Sequence, residues 1–160
     1  MNFREPNDQD PKERGELLAL MWEYTCKSEG QDLCQWYEIS LSNDKTLLMS
    51  EVEWNYIDFI KDGWRVQSAF DGDQMIGFIL YNPLFAGIKS VKYMYVIGEY
   101  AEKGVGPDLA NSIFKKGDTI LFQCRKDIPP KNMLRIAQKY GAIIKETDEL
   151  TTWAMEWRYG

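Results

Sequence analysis

Histidine is absent from this 160-residue chain. Its absence removes the serine and cysteine triads that use an imidazole base, the commonest zinc ligand, and the side chain whose charge switches near neutral pH. Cysteine is scarce: Cys26, Cys34 and Cys124 are odd in number and lack CxxC spacing. They read as small, reduced, apolar side chains of a cytoplasmic protein, with no metal site implied. No apolar run approaches the ~20 residues of a membrane span. The opening MNFREPNDQDPKERG is polar where a signal peptide would be apolar. Basic clusters stop at the pairs Lys115-Lys116 and Arg125-Lys126, and 19 Lys and Arg face 25 Asp and Glu, for a net charge of -6. A phosphate backbone needs a basic stripe to release counterions, so nucleic acid is not the expected partner. An acidic surface instead speeds encounters with cations.

Hydrophobic residues make up 44% of the chain, as in ordinary globular proteins. The turn signals are spread evenly, without repeat or linker, and predict one domain over 1–160. Residues 1–5 read as a short strand. Asp10-Pro11 suits the start of a helix, with Leu17, Leu20, Met21 and Tyr24 on one face. A second helix is expected over 43–59, closed by Asp62-Gly63; the stretch 30–42 carries no clear signal. WRVQSAF, a turn at 71–74 and MIGFILY form the clearest hairpin, after which Asn82-Pro83 is expected to break the strand. A third run, VKYMYVI at 91–97, leads into a glycine-bearing loop at 98–106 and a helix opened by Pro107. Gly117 stops that helix, TILFQC is a buried strand, a helix is expected over 131–140, and strands at 142–146 and 151–158 close the chain. The order predicts an α/β (α+β) fold: a mixed, mostly antiparallel sheet of six to seven strands with helices on both faces. The strands at 91–97 and 119–124 should lie side by side and parallel.

The loop MYVIGEYAEKGVGPDLA carries the chemistry. Gly104 and Gly106 let the backbone approach a ligand, and a helix N-terminus offers unpaired N–H groups, a combination suited to a phosphate or pyrophosphate. It has neither the GK[ST] of a P-loop nor the third glycine of a dinucleotide fingerprint, and a tight strand-to-helix turn would also use these glycines.

The segment from Met94 to Gly106 resembles motif A of the GCN5-related N-acetyltransferase (GNAT) superfamily, in which an apolar strand is followed by [RQ]xxGxG or [RQ]xxGxA opening a helix. Here Ala101-Glu102-Lys103-Gly104-Val105-Gly106 occupies the loop, and the order of elements matches over nearly the whole chain. The resemblance implies acetyl-coenzyme A as co-substrate, with no metal. The pantetheine arm would lie along Tyr95 and Val96, the pyrophosphate on the amides of Lys103, Gly104, Val105 and Gly106 beside Glu102, and Asn132 would be a counterpart of an asparagine in the later helix. Two positions depart from the pattern. Ala101 replaces the Arg or Gln, and Ala137 stands where the family often has a tyrosine donor for the thiolate; Tyr140 does not match that position.

Acetyl transfer needs a base for the amine, a polarised thioester carbonyl and a proton for the departing thiolate. Without histidine the base is a carboxylate, a tyrosine or a water relay. Glu99 is the best-placed carboxylate, set against its reading as a solvated loop charge. Tyr93 and Tyr95 alternate onto one sheet face and either line an acceptor pocket or pack beneath a helix. The expected function is direct acetyl transfer from acetyl-coenzyme A to a small-molecule or peptide primary amine. Alternatives are a catalytically degenerate relative serving as a structural or interaction protein, as a homodimer or on a virion, and a DNA-modifying relative of phage type. Residues 126–158 resemble the C-terminal part of acetyltransferase-like proteins of tailed bacteriophages through an RIxxKYGAxxxE pattern. A phage origin would place the protein in the host cytoplasm or the virion.

Overall fold

The computed structural model describes residues 1–27, 45–85, 87–125, 143–146 and 150–158. The elements are β1 (Asn2–Arg4), α1 (Pro11–Lys27), α2 (Lys45–Lys61), β2 (Arg65–Asp71), β3 (Gln74–Phe85), β4 (Ile88–Val96), α3 (Val105–Asn111), β5 (Thr119–Arg125), β6 (Ile143–Glu146) and β7 (Leu150–Glu156). The seven strands form one sheet in the order β1-β2-β3-β4-β5-β7-β6. Among the described strands only β4 and β5 run parallel, as expected for strands joined by a helical crossover.

Local chemistry accounts for the element ends. Asp10 Oδ1 accepts the Lys12 N–H at 3.0 Å and caps α1, ahead of Pro11 in the first turn. Gly63, at φ 90, turns the chain out of α2. The hairpin turn carries Gly72 at φ 60 between Asp71 and Gln74.

Alternation along β3 divides the core. Phe78 and Leu80 face α1 and α2, packing with Leu17, Met21, Tyr24, Val52 and Tyr56. Ile79 and Tyr81 face α3 and join Leu109, Phe114, Phe122 and Trp157 on the other side of the sheet. Helices therefore cover both faces.

Three boundaries differ from expectation. Pro83 does not end β3, which continues to Phe85; instead the β3–β4 register shifts between Asn82 and Phe85, an irregularity that accommodates a residue without N–H. β4 begins at Ile88, three residues earlier than its apolar run, because Ile88 and Ser90 pair with both neighbours and Lys89 with β5. α3 begins at Val105, two residues before Pro107, and ends at Asn111, leaving Lys115 and Lys116 outside it. The helix expected over 131–140, together with Asn132, Ala137 and Tyr140, lies outside the described residues.

The end of the sheet near Gly87 is locked by a buried ion pair. Lys89 Nζ meets Asp118 Oδ2 at 2.5 Å, and the same oxygen accepts the Lys115 N–H at 2.8 Å. Thr119 N–H donates to Gly87 O at 2.7 Å, and Trp157 N–H to Asp118 O at 2.7 Å.

Candidate active site

The site begins with one extra residue in β4. Leu80 pairs with Tyr93 and Tyr81 with Val91, so Lys92 is a β-bulge without a partner on β3. A bulge bends and twists the strand that carries it. The parallel pairing with β5 ends at that point: Val91 opposite Phe122 is its last pair, although β4 runs to Val96 and β5 to Arg125. Among the described residues no strand pairs with β4 beyond Val91 on its β5 side.

The ladder shows which backbone groups this leaves open. Ile97 N–H donates to Ile76 O at 2.9 Å, so Ile97 turns its polar groups towards β3. Alternation gives the same direction to Tyr95 and Tyr93 and the opposite one to Val96 and Met94. The N–H and C=O groups of Met94 and Val96, about 6.8 Å apart along the strand, thus face the side that β5 has left. Tyr95, expected to lend its backbone to a ligand, has it directed at Phe78 instead.

The loop over 98–104 is folded around Tyr100. Tyr100 N–H donates to Ile97 O at 2.9 Å, Lys103 N–H to Tyr100 O at 3.2 Å, and the Tyr100 hydroxyl to Asp71 Oδ2 at 2.5 Å. Lys103 Nζ lies 5.4 Å from the Tyr100 ring centroid. The Lys103 amide is therefore engaged within the loop, whereas those of Glu102, Gly104, Val105 and Gly106 have no backbone acceptor among the described residues. Gly104, left-handed at φ 79, is the N-cap of α3 and contributes no side-chain cap. Gly106 is buried over β4: a Cβ there would stand 3.1 Å from Met94 Cε and 4.0 Å from Val96 Cγ2. Glycine thus lets the first turn of α3 settle on the two residues whose backbone faces the open edge.

Tyr93 and Tyr95 lie on the opposite face, beneath α1 and α2. Ring centroids are 4.7 Å apart for Tyr24 and Tyr93 and 6.3 Å for Tyr24 and Tyr95. The Tyr95 hydroxyl donates to Glu23 Oε2 at 3.1 Å. Burial, and then this hydrogen bond, push the phenol up to about 12, so the hydroxyl stays protonated at neutral pH and donates to Glu23. Glu99 is exposed in the turn after β4, and no hydrogen bond or ring contact joins it to either tyrosine among the described residues. Glu102, Lys103 and Ala101 are also exposed.

Glu23 escaped the sequence reading. The only signal was its spacing of seven from Glu16, two helical turns along the side of α1 that meets the sheet. Glu16 Oε2 accepts the Met75 N–H at 2.8 Å, beside the β2–β3 bulge.

Solved acetyltransferases share this architecture. The chain is similar to aminoglycoside 6'-acetyltransferase type Ii, with 17% identity over 98% of this chain and 97% of that one, at a TM-score of 0.64. It is similar to the PaiA N-acetyltransferase from Thermoplasma acidophilum, solved with coenzyme A, with 18% identity, 98% and 100% covered and a TM-score of 0.57. A GNAT-family acetyltransferase from Staphylococcus aureus Mu50 gives 14% identity, 97% and 99% covered and a TM-score of 0.56. No family model and no curated protein matches. The chain has the fold of the GNAT acetyltransferases. Among the described residues no helix is long and apolar enough to cross a membrane, and no His, Cys, Asp and Glu group is arranged to hold a metal ion.

Proposed function

We propose that this chain is an N-acetyltransferase that moves an acetyl group from acetyl-coenzyme A directly to a primary amine, using one domain over 1–160. The observation that carries this reading is the coincidence of the Lys92 bulge with the end of β4–β5 pairing. It leaves an extended backbone edge next to a loop of unpaired amides, and an amide-bearing chain that ends in a pyrophosphate fits that pair of features.

Met94 and Val96 would hold the pantetheine amides as an added strand would, and an N–H on this edge would polarise the thioester carbonyl. The amides of Glu102, Gly104, Val105 and Gly106 would take the pyrophosphate, with Lys103 the one cation between Glu99 and Asp108. Acetyl-coenzyme A supplies the activated acetyl group when bound. In the transfer the ammonium loses one proton to a base, its nitrogen bonds to the acetyl carbon as the carbon–sulfur bond breaks, and its second proton ends on the thiolate. Glu99, at the head of the loop, is the carboxylate assigned to the first proton, through water; Asn132 is retained as a coenzyme contact.

A second reading has the same fold without catalysis, in an interaction protein. It is favoured by Ala101, which puts no charge at the loop start, and by Trp54, Ile57 and Ile60 of α2. These are 72%, 36% and 44% exposed along one side of the helix. Calorimetric titration with acetyl-coenzyme A separates the two. Micromolar binding, tightened by Ala101→Arg, is the result expected for the enzyme. Absence of binding at millimolar coenzyme would overturn it and leave the interaction protein.

A further inference from the structure

Lys92 enters the transferase reading only through its backbone, as the bulge at which β4–β5 pairing ends. Its side chain is exposed and leans to the α2 side of the sheet, where Nζ lies 5.1 Å from the Phe59 ring centroid and 5.6 Å from that of Trp64. Contacts of this kind at an exposed site are weak. They set where the amine rests without locking it there.

Position gives that amine its chemistry. The loop of free amides follows Val96 in the chain, so a coenzyme with its pyrophosphate on the loop and its amides on Val96 and Met94 runs back along β4. Its reactive end then lies beyond Met94, in the direction of Lys92, which is two residues and at most about 6.8 Å further along the strand. The other lysine of β4, Lys89, is occupied by Asp118 near Gly87. Lys103, on the loop, belongs to the pyrophosphate end.

We propose that Lys92 is a modification site, acetylated on its own Nζ by the acetyl-coenzyme A bound beside it. The inference goes beyond transfer to a free amine and rests on that reading for the coenzyme. In the step the Lys92 ammonium gives one proton to water, its nitrogen bonds to the acetyl carbon as the carbon–sulfur bond breaks, and its second proton ends on the thiolate. A neutral amide and coenzyme A result. Because Lys92 is part of the chain, no second encounter is needed, and proximity favours it over every other lysine. The product no longer carries the charge that rests against Phe59 and Trp64.

The test incubates wild type with acetyl-coenzyme A and, separately, with N-hydroxysuccinimidyl acetate, which labels lysines according to their exposure. Peptide mass spectrometry reads the acetylation of each lysine, and calorimetry reads the acetyl-coenzyme A Kd. Lys115 and Lys116, exposed at the Gly87 end of the sheet, are internal references. Divided by its labelling with the succinimidyl ester, labelling of Lys92 by acetyl-coenzyme A should run about tenfold or more ahead of the references. Excess coenzyme A should suppress it at Lys92 alone, and Lys92→Arg, which keeps a cation over the rings, should abolish the fast-labelled peptide. Equal normalised rates, or labelling of Lys92 that ignores excess coenzyme A, overturn the assignment. Acetyl-coenzyme A that binds while Lys92 labels no faster than the references sinks this inference and leaves the transferase standing; absence of binding overturns both.

Discussion

Tyr100 and Asp71 are 29 residues apart in sequence and are joined by a 2.5 Å hydrogen bond from phenol to carboxylate. The contact ties the loop after β4 to the β2–β3 turn. With the Tyr100 carbonyl accepting the Lys103 N–H, one residue, through its side chain and its backbone, holds the loop that presents the free amides.

Tyr100→Phe should therefore loosen the loop without unfolding the protein. We expect acetyl-coenzyme A affinity to fall roughly threefold to tenfold, the effect of one hydrogen bond, with little change in Tm. Calorimetry beside a thermal melt checks this; equal affinity would mean that the loop keeps its shape without the latch.

Gly104 and Gly106 should fail differently. No heavy atom stands within 4 Å of a Cβ built on Gly104, so at φ 79 a side chain costs only backbone strain. Gly104→Val should lose about 1–2 kcal/mol, and Gly104→Asn less, because asparagine tolerates the left-handed region. Gly106→Val should instead push on Met94 and Val96 and lift the first turn of α3 from β4, weakening coenzyme binding more than stability. Denaturant curves and coenzyme titrations on the three variants separate strain from displacement.

Asp118→Asn should be among the most destabilising surface-remote changes. Burial pushes the Asp118 carboxyl up, but the hydrogen bonds from Lys89 and from the Lys115 amide outweigh it, and the net direction is below the ordinary 3.8. A carboxyl lowered by folding contributes stability above its unfolded pKa and loses it as pH falls through the folded value. With Lys89 and Asp118 side chains only 15% and 10% exposed, removing one charge strands the other, at a cost of about 3 kcal/mol. Urea denaturation should show that gap at pH 7 and a shrinking one as pH falls below the unfolded carboxylate value of about 3.9.

Glu13 gives a second acid-sensitive contact. It accepts two hydrogen bonds from Arg4, at 2.8 and 3.1 Å, and the Asn7 N–H at 2.9 Å. The Arg4 bonds, then the Asn7 amide, lower its carboxyl to about 2. Its contribution is complete above the unfolded value of about 4.3 and disappears as pH falls towards 2. Glu13→Gln should loosen β1, whose Arg4 lies 4.0 Å over the Phe70 ring. The difference from wild type should be constant above about pH 5 and close between about pH 4.5 and 2; a pH-independent difference would contradict the shift.

Local chemistry was legible in the sequence. Asp10-Pro11 opens α1 and the 71–74 turn closes the hairpin because capping and positive φ depend on a few neighbouring residues. The motif-A loop stood out because glycine ahead of a helix is itself a local signal. Alternation put Tyr93 and Tyr95 on one face, but whether they lined a pocket or packed under a helix depended on where α1 and α2 come to rest.

The features that make the site belong to tertiary structure. Lys92 looks like any polar residue of an alternating strand, and it is a bulge only because Leu80 and Tyr81 take Tyr93 and Val91 as partners. Likewise, the engagement of the Lys103 amide follows from the fold of the loop around Tyr100, and the meeting of Glu23 with Tyr95 follows from the seating of α1 on the sheet. Residue type and spacing alone set the strand–loop–helix unit, the lack of histidine and the acidic balance. Tertiary structure decided where β4 leaves β5 and which carboxylate faces the aromatic cluster, because register and helix seating are relations between distant segments settled by the packing of the whole core.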